Sequence, residues 1–377
     1  MSLTQDVKEF ALDLGYSNVG ITNADGFPDY VAELKSRYAM YAFYIEGPNK
    51  PLEAAYPRSI MPSAQSIVAL VYDYSKESFP QKLVGKIARY YQARCSNIPV
   101  HRINGVRPQL MRQFLKKSGC EVANGILVPG RRTAAQAGVV TYGKNSFAFA
   151  ERGGSFIALL SLVVDAELEY DRPTMETHCP ATCNACIEAC PTGAFYEPFR
   201  IDPRRCIAFN TFSTQDGISA HVTSYIPPDI RDKMGTWIHG CDVCQEACPQ
   251  NQKRLKADLP QNEYLDKVAG DFDFSKLLLM TDEFYLKRVQ PLMYNYIKEK
   301  KYFQRNAAIA LGNIGDPTFV PDLARAMEDP EALVRGYAAW ALGKIGGVRA
   351  RQILEASLAR ETAESAKKEI ESALAVA

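Results

Sequence analysis

The sequence predicts an α+β protein in three parts: a mixed domain over residues 1–170, a cysteine-rich segment over 171–255 and a helical domain over 256–377. Three observations predict this division. Strand-like and helix-like patterns alternate before residue 170, and eight of the ten cysteines fall in a proline-rich stretch between Cys179 and Cys248. A helical pattern then repeats towards the C-terminus. A chain of 377 residues is long enough for two or three domains.

The N-terminal domain is predicted from four patterns. Apolar residues recur at helical spacing between Val7 and Leu14, and residues 109–119 form a second amphipathic pattern, so each stretch predicts a helix. The β-branched and aromatic run at 66–74 predicts a strand, and the apolar run at 155–168 predicts one or two buried strands. For the run at 155–168, periodicity alone leaves a buried helix open.

Composition and charge argue against several classes of protein. A formal net charge of +1 gives no overall attraction to nucleic acid or to a membrane surface, although it does not speak against a local basic face. No apolar run approaches the roughly 18 residues of a membrane-spanning helix. The N-terminus shows neither a secretory signal nor a twin-arginine motif. We therefore expect a cytoplasmic protein, in which clustered cysteines are more often metal ligands than disulfides.

The cysteine spacing predicts two [4Fe-4S] clusters. The pattern C-x2-C-x3-C-P occurs twice, from Cys183 to Cys190 and from Cys241 to Cys248. In two-cluster ferredoxins the cysteine before the proline ligates the other cluster. We therefore predict one ligand set of Cys179, Cys183, Cys186 and Cys248, and another of Cys190, Cys206, Cys241 and Cys244. Structural zinc, which also binds paired C-x2-C, is the alternative.

One gap in this pattern is unusual. Three residues, Pro-Ala-Thr, separate Cys179 from Cys183 where two are expected, and a bulged loop can absorb the extra residue. Clusters that exchange ligands lie close together, so we expect electrons to pass between them towards a second redox group in residues 1–170. Cys95 and Cys120 stand apart and are predicted to be buried structural thiols.

The C-terminal part contains an internal repeat. Residues 306–315 read NAAIALGNIG and residues 337–346 read YAAWALGKIG, an offset of 31 residues. Small-residue helices that repeat at this period indicate an α-solenoid of short HEAT-like units. Such a part is either a packing module or a docking surface, and the basic run KEKKYFQR at 298–305 favours docking.

The order of these parts resembles the epoxyqueuosine reductases over nearly the whole chain. The stretches that carry the resemblance are CPTGAF (190–195), DPRRCIAF (202–209), HGCDVCQEACPQN (239–251), AGVVTYGKN (137–145), GGSFIALLSLVVDAEL (153–168) and QRNAAIALGN (304–313). The resemblance implies a nitroreductase-like N-terminal domain that binds cobalamin base-off, followed by a ferredoxin-like double-cluster segment. It also implies reduction of the epoxide of epoxyqueuosine in tRNA. Corrinoid reductive dehalogenases share this core and the same electron route.

Matching the family's motifs to this sequence implies a set of corrinoid contacts. The implied residues are Arg58, Gly143, Lys144, Asn145 and Ser155. The alternative for the stretch YGKN is a turn with a solvated lysine.

The sequence departs from the family's pattern around the expected substrate. Aligned on AGVVTYGKN, the aspartate that is the family's proposed proton donor falls on Asn124, and an amide cannot donate a proton as a general acid. The family's R-Y-A-x-G-x-D-Y-H stretch reads RYYQARCSN at 89–97, and C-I-S-Y-L-T-I-E reads CIAFNTFS at 206–213. Tyr142 is a second candidate donor, since the dehalogenases use a tyrosine; the alternative is a packed core aromatic.

Three functions follow from these observations. The first is a cobalamin-dependent reductase of epoxyqueuosine in tRNA, supplied by a low-potential donor such as ferredoxin or flavodoxin. The second is a dehalogenase-like enzyme on another small electrophile, and the third is an iron–sulfur electron-transfer protein that serves a corrinoid partner. Candidate tRNA contacts, for which a solvated helix face is the alternative, are Arg94, His101, Arg102, Arg107, Arg112, Lys116, Lys117 and residues 298–305.

Overall fold

A computed structural model of the chain describes residues 2–93, 103–123, 128–174, 177–212, 224–293, 297 and 299–377. The residues singled out above that lie outside the described residues are Arg94, Cys95, Asn97, His101, Arg102, Asn124, Ser213 and Lys298. The chain divides into two units. Unit 1 comprises Met1–Ser78, Ala93–Arg204 and Val243–Pro260, and unit 2 comprises Phe79–Gln92, Arg205–Asp242 and Gln261–Ala377.

The cysteine-rich segment is shared between these units. Cys179, Cys183, Cys186, Cys190, Cys244 and Cys248 belong to unit 1, and Cys206 and Cys241 belong to unit 2. The units therefore do not follow the three parts in chain order, and the boundaries near residues 170 and 255 stay predictions.

Strands are confined to unit 1 within the described part of the chain. They are β1 (Asn18–Asn23), β2 (Ser66–Asp73), β3 (Thr141–Tyr142), β4 (Ala148–Phe149), β5 (Ile157–Val164), β6 (Phe195–Glu197) and β7 (Arg200–Ile201). The predicted strand at 66–74 is confirmed, and the apolar run at 155–168 forms one strand rather than a helix.

Helices make up most of the remaining regular structure. In chain order they are α1 (Leu3–Asp13), α2 (Pro28–Ser36), α3 (Tyr38–Ile45), α4 (Pro51–Ala54), α5 (Pro57–Ile60), α6 (Arg89–Gln92), α7 (Ile103–Lys117), α8 (Gly130–Gln136), α9 (Ala185–Glu188), α10 (Ile207–Thr211), α11 (Pro228–Arg231), α12 (Val243–Glu246), α13 (Gln252–Leu255), α14 (Glu263–Val268), α15 (Phe274–Leu278), α16 (Asp282–Phe284), α17 (Gln290–Met293), α18 (Lys300–Ile314), α19 (Val320–Ala326), α20 (Ala332–Ile345), α21 (Val348–Leu358) and α22 (Glu364–Leu374). Short 3-10 turns lie at Pro203–Arg205, Pro249–Asn251, Ala269–Phe272 and Pro317–Phe319, and a π-helical turn lies at Tyr285–Val289.

The core of unit 1 is an antiparallel sheet with the strand order β1-β2-β5. Side chains alternate between its faces, so Val68 and Leu70 pack with α1 and α7, whereas Ala69 and Val71 pack with α8. Gly20 in β1 permits that second packing, because a Cβ there would lie 2.1 Å from the carbonyl oxygen of Ala137. The hairpin β3–β4 follows α8 and presents the loop 143–147 that the sequence singled out.

The helical repeat predicted for the C-terminal part is confirmed in unit 2. Its two copies form most of α18 and α20, and α20 packs against both α18 and α22. Gly312 and Gly343 occupy equivalent positions in the two copies. A Cβ at Gly312 would lie 3.0 Å from the Cα of Ala341, and one at Gly343 would lie 2.9 Å from the Cα of Ala373. Glycine is thus required where neighbouring helices approach closely.

The basic run at 298–305 is not an exposed basic surface. Tyr302, Phe303, Gln304 and Arg305 are all buried, and the described lysines form ion pairs, Lys300 with Asp282 and Lys301 with Glu299. The expectation of a basic docking patch at this run is therefore wrong for its described residues. These side chains lie on the face of α18 that packs into unit 2.

The other basic candidates divide into two groups. Arg107 donates to the carbonyl oxygen of Leu14, and Arg112 donates to that of Ala123. Lys116 and Lys117 are exposed at the end of α7. Among the described helices, none is long and apolar enough to cross a bilayer.

Candidate metal centre

Four cysteines from two separate segments of the chain line one small cavity in unit 1. They are the predicted first ligand set: Cys179, Cys183, Cys186 and Cys248. The other lining residues are Gly143, Lys144, Asn145, Phe149 and Pro249. Among the described residues, no three His, Cys, Asp or Glu side chains gather closely enough to ligate a single ion. The thiols lie instead around the wall of the cavity, an arrangement that suits a cluster with a ligand at each of several iron corners.

Two short helices bring these cysteines together. Cys186 lies in α9 and Cys248 follows α12, and the two helices contact each other. Each helix is followed by a Cys-Pro pair, and the proline prevents the helix from continuing. The twofold C-x2-C-x3-C-P pattern therefore folds as two similar turns packed side by side.

The thiols are close enough to influence each other electrostatically. Burial, together with smaller contributions from the neighbouring Cys248, Cys179 and Cys183, raises the pKa of Cys186 to about 11. Burial also raises the pKa of Cys248, with smaller contributions from Cys179 and Cys183. Four ionised thiolates would repel one another in this cavity, and a bound cationic metal would offset that repulsion. The cysteine geometry fits an iron–sulfur cluster.

The β3–β4 loop forms one wall of this cavity. The backbone N–H of Lys144 donates to Sγ of Cys179 over 3.4 Å. The ammonium of Lys144 donates to the carbonyl oxygens of Pro180, Ala181 and Cys183 at 3.1, 2.7 and 2.8 Å. Lys144 is only 8% exposed, so the alternative of a solvated lysine is wrong. Its three ammonium protons all reach the segment between the first two cysteines.

The remaining residues of the predicted corrinoid set differ in their surroundings. Asn145 is buried and its amide donates to the carbonyl oxygen of Cys244 over 3.3 Å. Gly143 has no room for a side chain, since a Cβ there would lie 2.4 Å from the ring of Phe149. Arg58 is exposed and pairs with Asp25 over 2.8 Å. Assignment of these residues to a corrinoid stays a prediction.

Ser155 belongs to a buried polar network that sequence reasoning missed. Its hydroxyl donates to Oε1 of Gln245 over 2.9 Å and accepts from Nδ2 of Asn251 over 2.8 Å. The Asn251 amide also donates to the carbonyl oxygen of Gln245, and its Oδ1 accepts the backbone N–H of Ser155. The network ties the residues just before β5 to the segments on both sides of Cys248. The polar residues inside HGCDVCQEACPQN are its sequence signal.

Tyr142 lies at the start of the same loop and is half-buried. Burial raises the pKa of its phenol, and the nearby Arg132 and Arg131 partly offset this. The hydroxyls of Tyr30 and Tyr44 lie 3.1 Å apart, and Tyr142 contributes to the electrostatic surroundings of Tyr30. The phenol of Tyr142 therefore keeps its proton at neutral pH and can serve as a donor.

The second predicted ligand set has cysteines in both units. In unit 1, Sγ of Cys190 accepts the backbone N–H of Ala194 over 3.4 Å. In unit 2, Cys206 directly precedes α10. The carbonyl oxygens of Asn210 and Thr211, at the end of α10, accept hydrogen bonds from α18. Arg305 donates to Asn210, and Asn306 donates to Thr211. Asn306 also donates to Ile238, shortly before Cys241. Side chains of the first repeat helix thus hold the segments that carry both cysteines of unit 2.

Two protein-family models match parts of the chain. A 4Fe-4S double cluster binding domain matches residues 178–251, and HEAT repeats match residues 290–375. The cysteine-rich segment is therefore a double-cluster binding domain, and the helical repeat is of the HEAT type.

Relatives of this chain include epoxyqueuosine reductases. The epoxyqueuosine reductase of Bacillus subtilis is 29% identical over 98% of this chain and 94% of its own length. That of Cellulophaga algicola is 30% identical over 65% of this chain and 78% of its own length. A crystal structure of epoxyqueuosine reductase with an epoxyqueuosine-modified tRNA-Tyr stem loop superposes with a TM-score of 0.83, at 27% identity and over 99% of this chain and 98% of that one.

Proposed function

The chain belongs to the epoxyqueuosine reductase family, and on this premise we propose that it is a cobalamin-dependent reductase whose substrate is epoxyqueuosine in tRNA. When bound, the two [4Fe-4S] clusters would carry single electrons and the corrinoid would supply the reducing cobalt centre. The observation that carries the proposal is the cavity lined by Cys179, Cys183, Cys186 and Cys248. An oxidoreductase of this family needs such a site to receive electrons.

The cysteines of the two sets would hold the clusters. Cys179, Cys183, Cys186 and Cys248 fit the first, and Cys190, Cys206, Cys241 and Cys244 are proposed for the second. The proline that follows Cys190, like the one that follows Cys248, ends its turn so that the thiolate can face the other set. This exchange would keep the clusters close enough for electron transfer.

The residues proposed for the corrinoid fall into two groups. The polar atoms of Lys144, Asn145 and Ser155 are already bonded within the protein, so these residues would shape the wall between the cluster cavity and the corrinoid. Gly143, through its backbone, and Arg58, whose exposed guanidinium also pairs with Asp25, would contact the corrinoid directly. Helix α3 would offer the corrinoid ring apolar contacts, because its residues YAMYAFYI are strongly apolar and none of them is buried.

Reduction of the epoxide to an alkene consumes two electrons and two protons and releases the epoxide oxygen as water. Protons must therefore be delivered to that oxygen. The family's acid is replaced by Asn124, so we assign the delivery to the protonated phenol of Tyr142 or to water. Tyr142→Phe removes only the hydroxyl and should lower turnover if the phenol is the donor, by about 10²–10⁴-fold.

The decisive experiment is anaerobic reconstitution of the full chain with iron, sulfide and cobalamin, followed by an assay on epoxyqueuosine tRNA. Loss of one oxygen from the modified base, detected by mass spectrometry, supports the proposal. A loaded chain that leaves the tRNA unchanged but reduces an organohalide identifies the dehalogenase-like alternative. A chain that takes up both clusters and no corrinoid identifies the electron-transfer alternative.

The tRNA and the electron donor are partners that the family relationship suggests. tRNA binding through phosphate contacts should weaken steeply as salt rises, with Lys116 and Lys117 as the exposed candidates on α7. Binding that does not change with salt would contradict phosphate contacts. A cytoplasmic ferredoxin or flavodoxin would supply the electrons.

A further inference from the structure

Lys144 makes a set of contacts that neither the cluster motif nor the corrinoid assignment explains. Its side chain lines the cavity of the first ligand set and is almost completely buried. A lysine ammonium has three protons and no acceptor, and a buried charge is costly unless it is fully hydrogen-bonded. The carbonyl oxygens of Pro180, Ala181 and Cys183 supply three acceptors within 3.1 Å. Donors and acceptors are therefore matched in number.

These carbonyl oxygens belong to the segment with the unusual spacing. Three residues separate Cys179 from Cys183, so the chain between them forms a wider loop than a two-residue turn. Three carbonyl groups of this loop point to one place, where they would repel one another without a positive partner. The ammonium of Lys144 occupies that place. It stabilises the wide loop in the conformation that directs both thiols to the cavity.

The backbone of the same residue is also fixed against the cysteines. The Lys144 N–H donates to Sγ of Cys179, and its carbonyl oxygen accepts the backbone N–H of Phe199 over 2.8 Å. Within the loop, Gly143 donates to the carbonyl oxygen of Phe147 over 2.9 Å. The backbone of the loop is thus held at several points, which places the Lys144 side chain beside the Cys179–Cys183 segment.

We propose that Lys144 is the positioning residue of the first cluster: it shapes the Cys179–Cys183 loop and places a buried positive charge beside the cluster. The inference rests on the proposed iron–sulfur function and deepens it. Thiolate-ligated clusters carry net negative charge that grows on reduction, so a neighbouring cation stabilises the reduced form. Lys144 therefore raises the reduction potential of the first cluster above the value it would have without this charge.

The test compares variants of the full chain after anaerobic reconstitution with iron and sulfide alone. Lys144→Met keeps the length of the side chain but removes the charge and all three donors, whereas Lys144→Arg keeps the charge. Lys256→Met, at an exposed lysine of unit 1, is the matched control. Iron and sulfide content and the potential of each cluster, followed by electron paramagnetic resonance, are the readouts. Neither requires cobalamin or tRNA.

We expect wild-type and Lys256→Met to bind about eight irons, as two [4Fe-4S] clusters require. Lys144→Met should either lose the first cluster and bind about four irons, or keep that cluster with a more negative reduction potential. Lys144→Arg should restore both the iron content and the reduction potential. The second cluster's signal reports that the variant is folded. If Lys144→Met binds about eight irons with unchanged potentials, the inference is overturned while the proposed function stands. A wild-type chain that binds no iron overturns both.

Discussion

Buried polar side chains at single positions organise the surroundings of the cysteines in unit 1. Lys144, Asn145 and Ser155 each bond to the backbone or side chains of the cysteine-bearing segments. Removing one partner of a buried hydrogen bond leaves the other unsatisfied, at a cost of about 1–3 kcal/mol. These residues therefore favour a defined cavity over a loosely folded cysteine loop before any metal binds.

Asn124 is predicted, from the family resemblance, to stand at the position of the proposed proton donor. Asn124→Asp restores a carboxyl group at the position of the family's proton donor, so turnover of epoxyqueuosine tRNA should rise by about 10²–10⁴-fold. The gain should shrink as pH rises and the new carboxyl group ionises. Single-turnover rates of the loaded chain across pH measure both effects.

Asn124→Gln is the control for that change, because it alters the side chain without adding an acid. If Asn124→Asp is no faster than Asn124→Gln at any pH, the position does not deliver the proton. Tyr142 would then be the remaining side-chain candidate.

At the scale of secondary-structure elements, the main feature of the helical repeat is the close contact between neighbouring helices. A Cβ at Gly343 in α20 would lie 2.8 Å from the Cβ of Ala373 and 3.0 Å from its carbonyl oxygen. Gly312 in α18 meets α20 in the same way. The Leu-Gly pairs of the repeated sequence are therefore packing positions, and they set the distance between the helices.

Gly343→Ala should destabilise unit 2. An alanine favours the helix by about 1 kcal/mol relative to glycine, but overpacking against backbone atoms of α22 costs typically about 1–3 kcal/mol. Hydrogen exchange of α20 and α22 should therefore become faster. Gly270→Ala is the matched control, because nothing lies within 4 Å of a Cβ there. Equal exchange in both variants would contradict the packing role.

The carboxylate of Glu361 connects the end of α21 to α20 through a two-point contact with Arg335, both bonds being 2.7 Å long. This contact lowers the pKa of Glu361 from its ordinary value of 4.5 to about 2. A lowered pKa stabilises the folded state above the ordinary value, and that contribution disappears as pH falls from about 4.5 towards 2.

Glu361→Gln should therefore weaken α20 and α21 near neutral pH and have much less effect at about pH 2. Hydrogen exchange of these helices, compared between variant and wild type at each pH, measures the difference. A difference that is the same at both pH values would show that Glu361 does not act through its charge.

At the scale of the whole molecule, the two cysteine sets are predicted to exchange ligands. Cys248 lies far along the chain from Cys183, yet both line the same cavity. Cys248→Ser should therefore abolish the same cluster signal as Cys183→Ser and lower the iron content from about eight to about four per chain. Cys206→Ser should abolish the other signal. If Cys248→Ser instead removes the signal lost in Cys241→Ser, the predicted exchange is wrong.

The sequence by itself determined the cysteine-rich segment and the helical repeat, because both depend on local spacing. Cys183 to Cys190 and Cys241 to Cys248 have the spacing of short turns, and the repeat at 306–315 and 337–346 has the spacing of helices. The N-terminal strands were also predictable, since β-branched runs such as 66–74 favour extended backbone. Even the departure at Asn124 needed only an alignment of motifs.

Only the tertiary structure decided what Lys144, Ser155 and Arg305 contact. The sequence predicts Lys144 to be a corrinoid contact, with a solvated lysine as the alternative, and Arg305 to be part of a basic patch. In the structure both side chains are buried among backbone carbonyl groups. Their partners lie far away in sequence, and no local pattern encodes a hydrogen bond to a distant carbonyl oxygen. Long polar side chains are usually solvated, so burial at these positions follows only from the packing of elements around them.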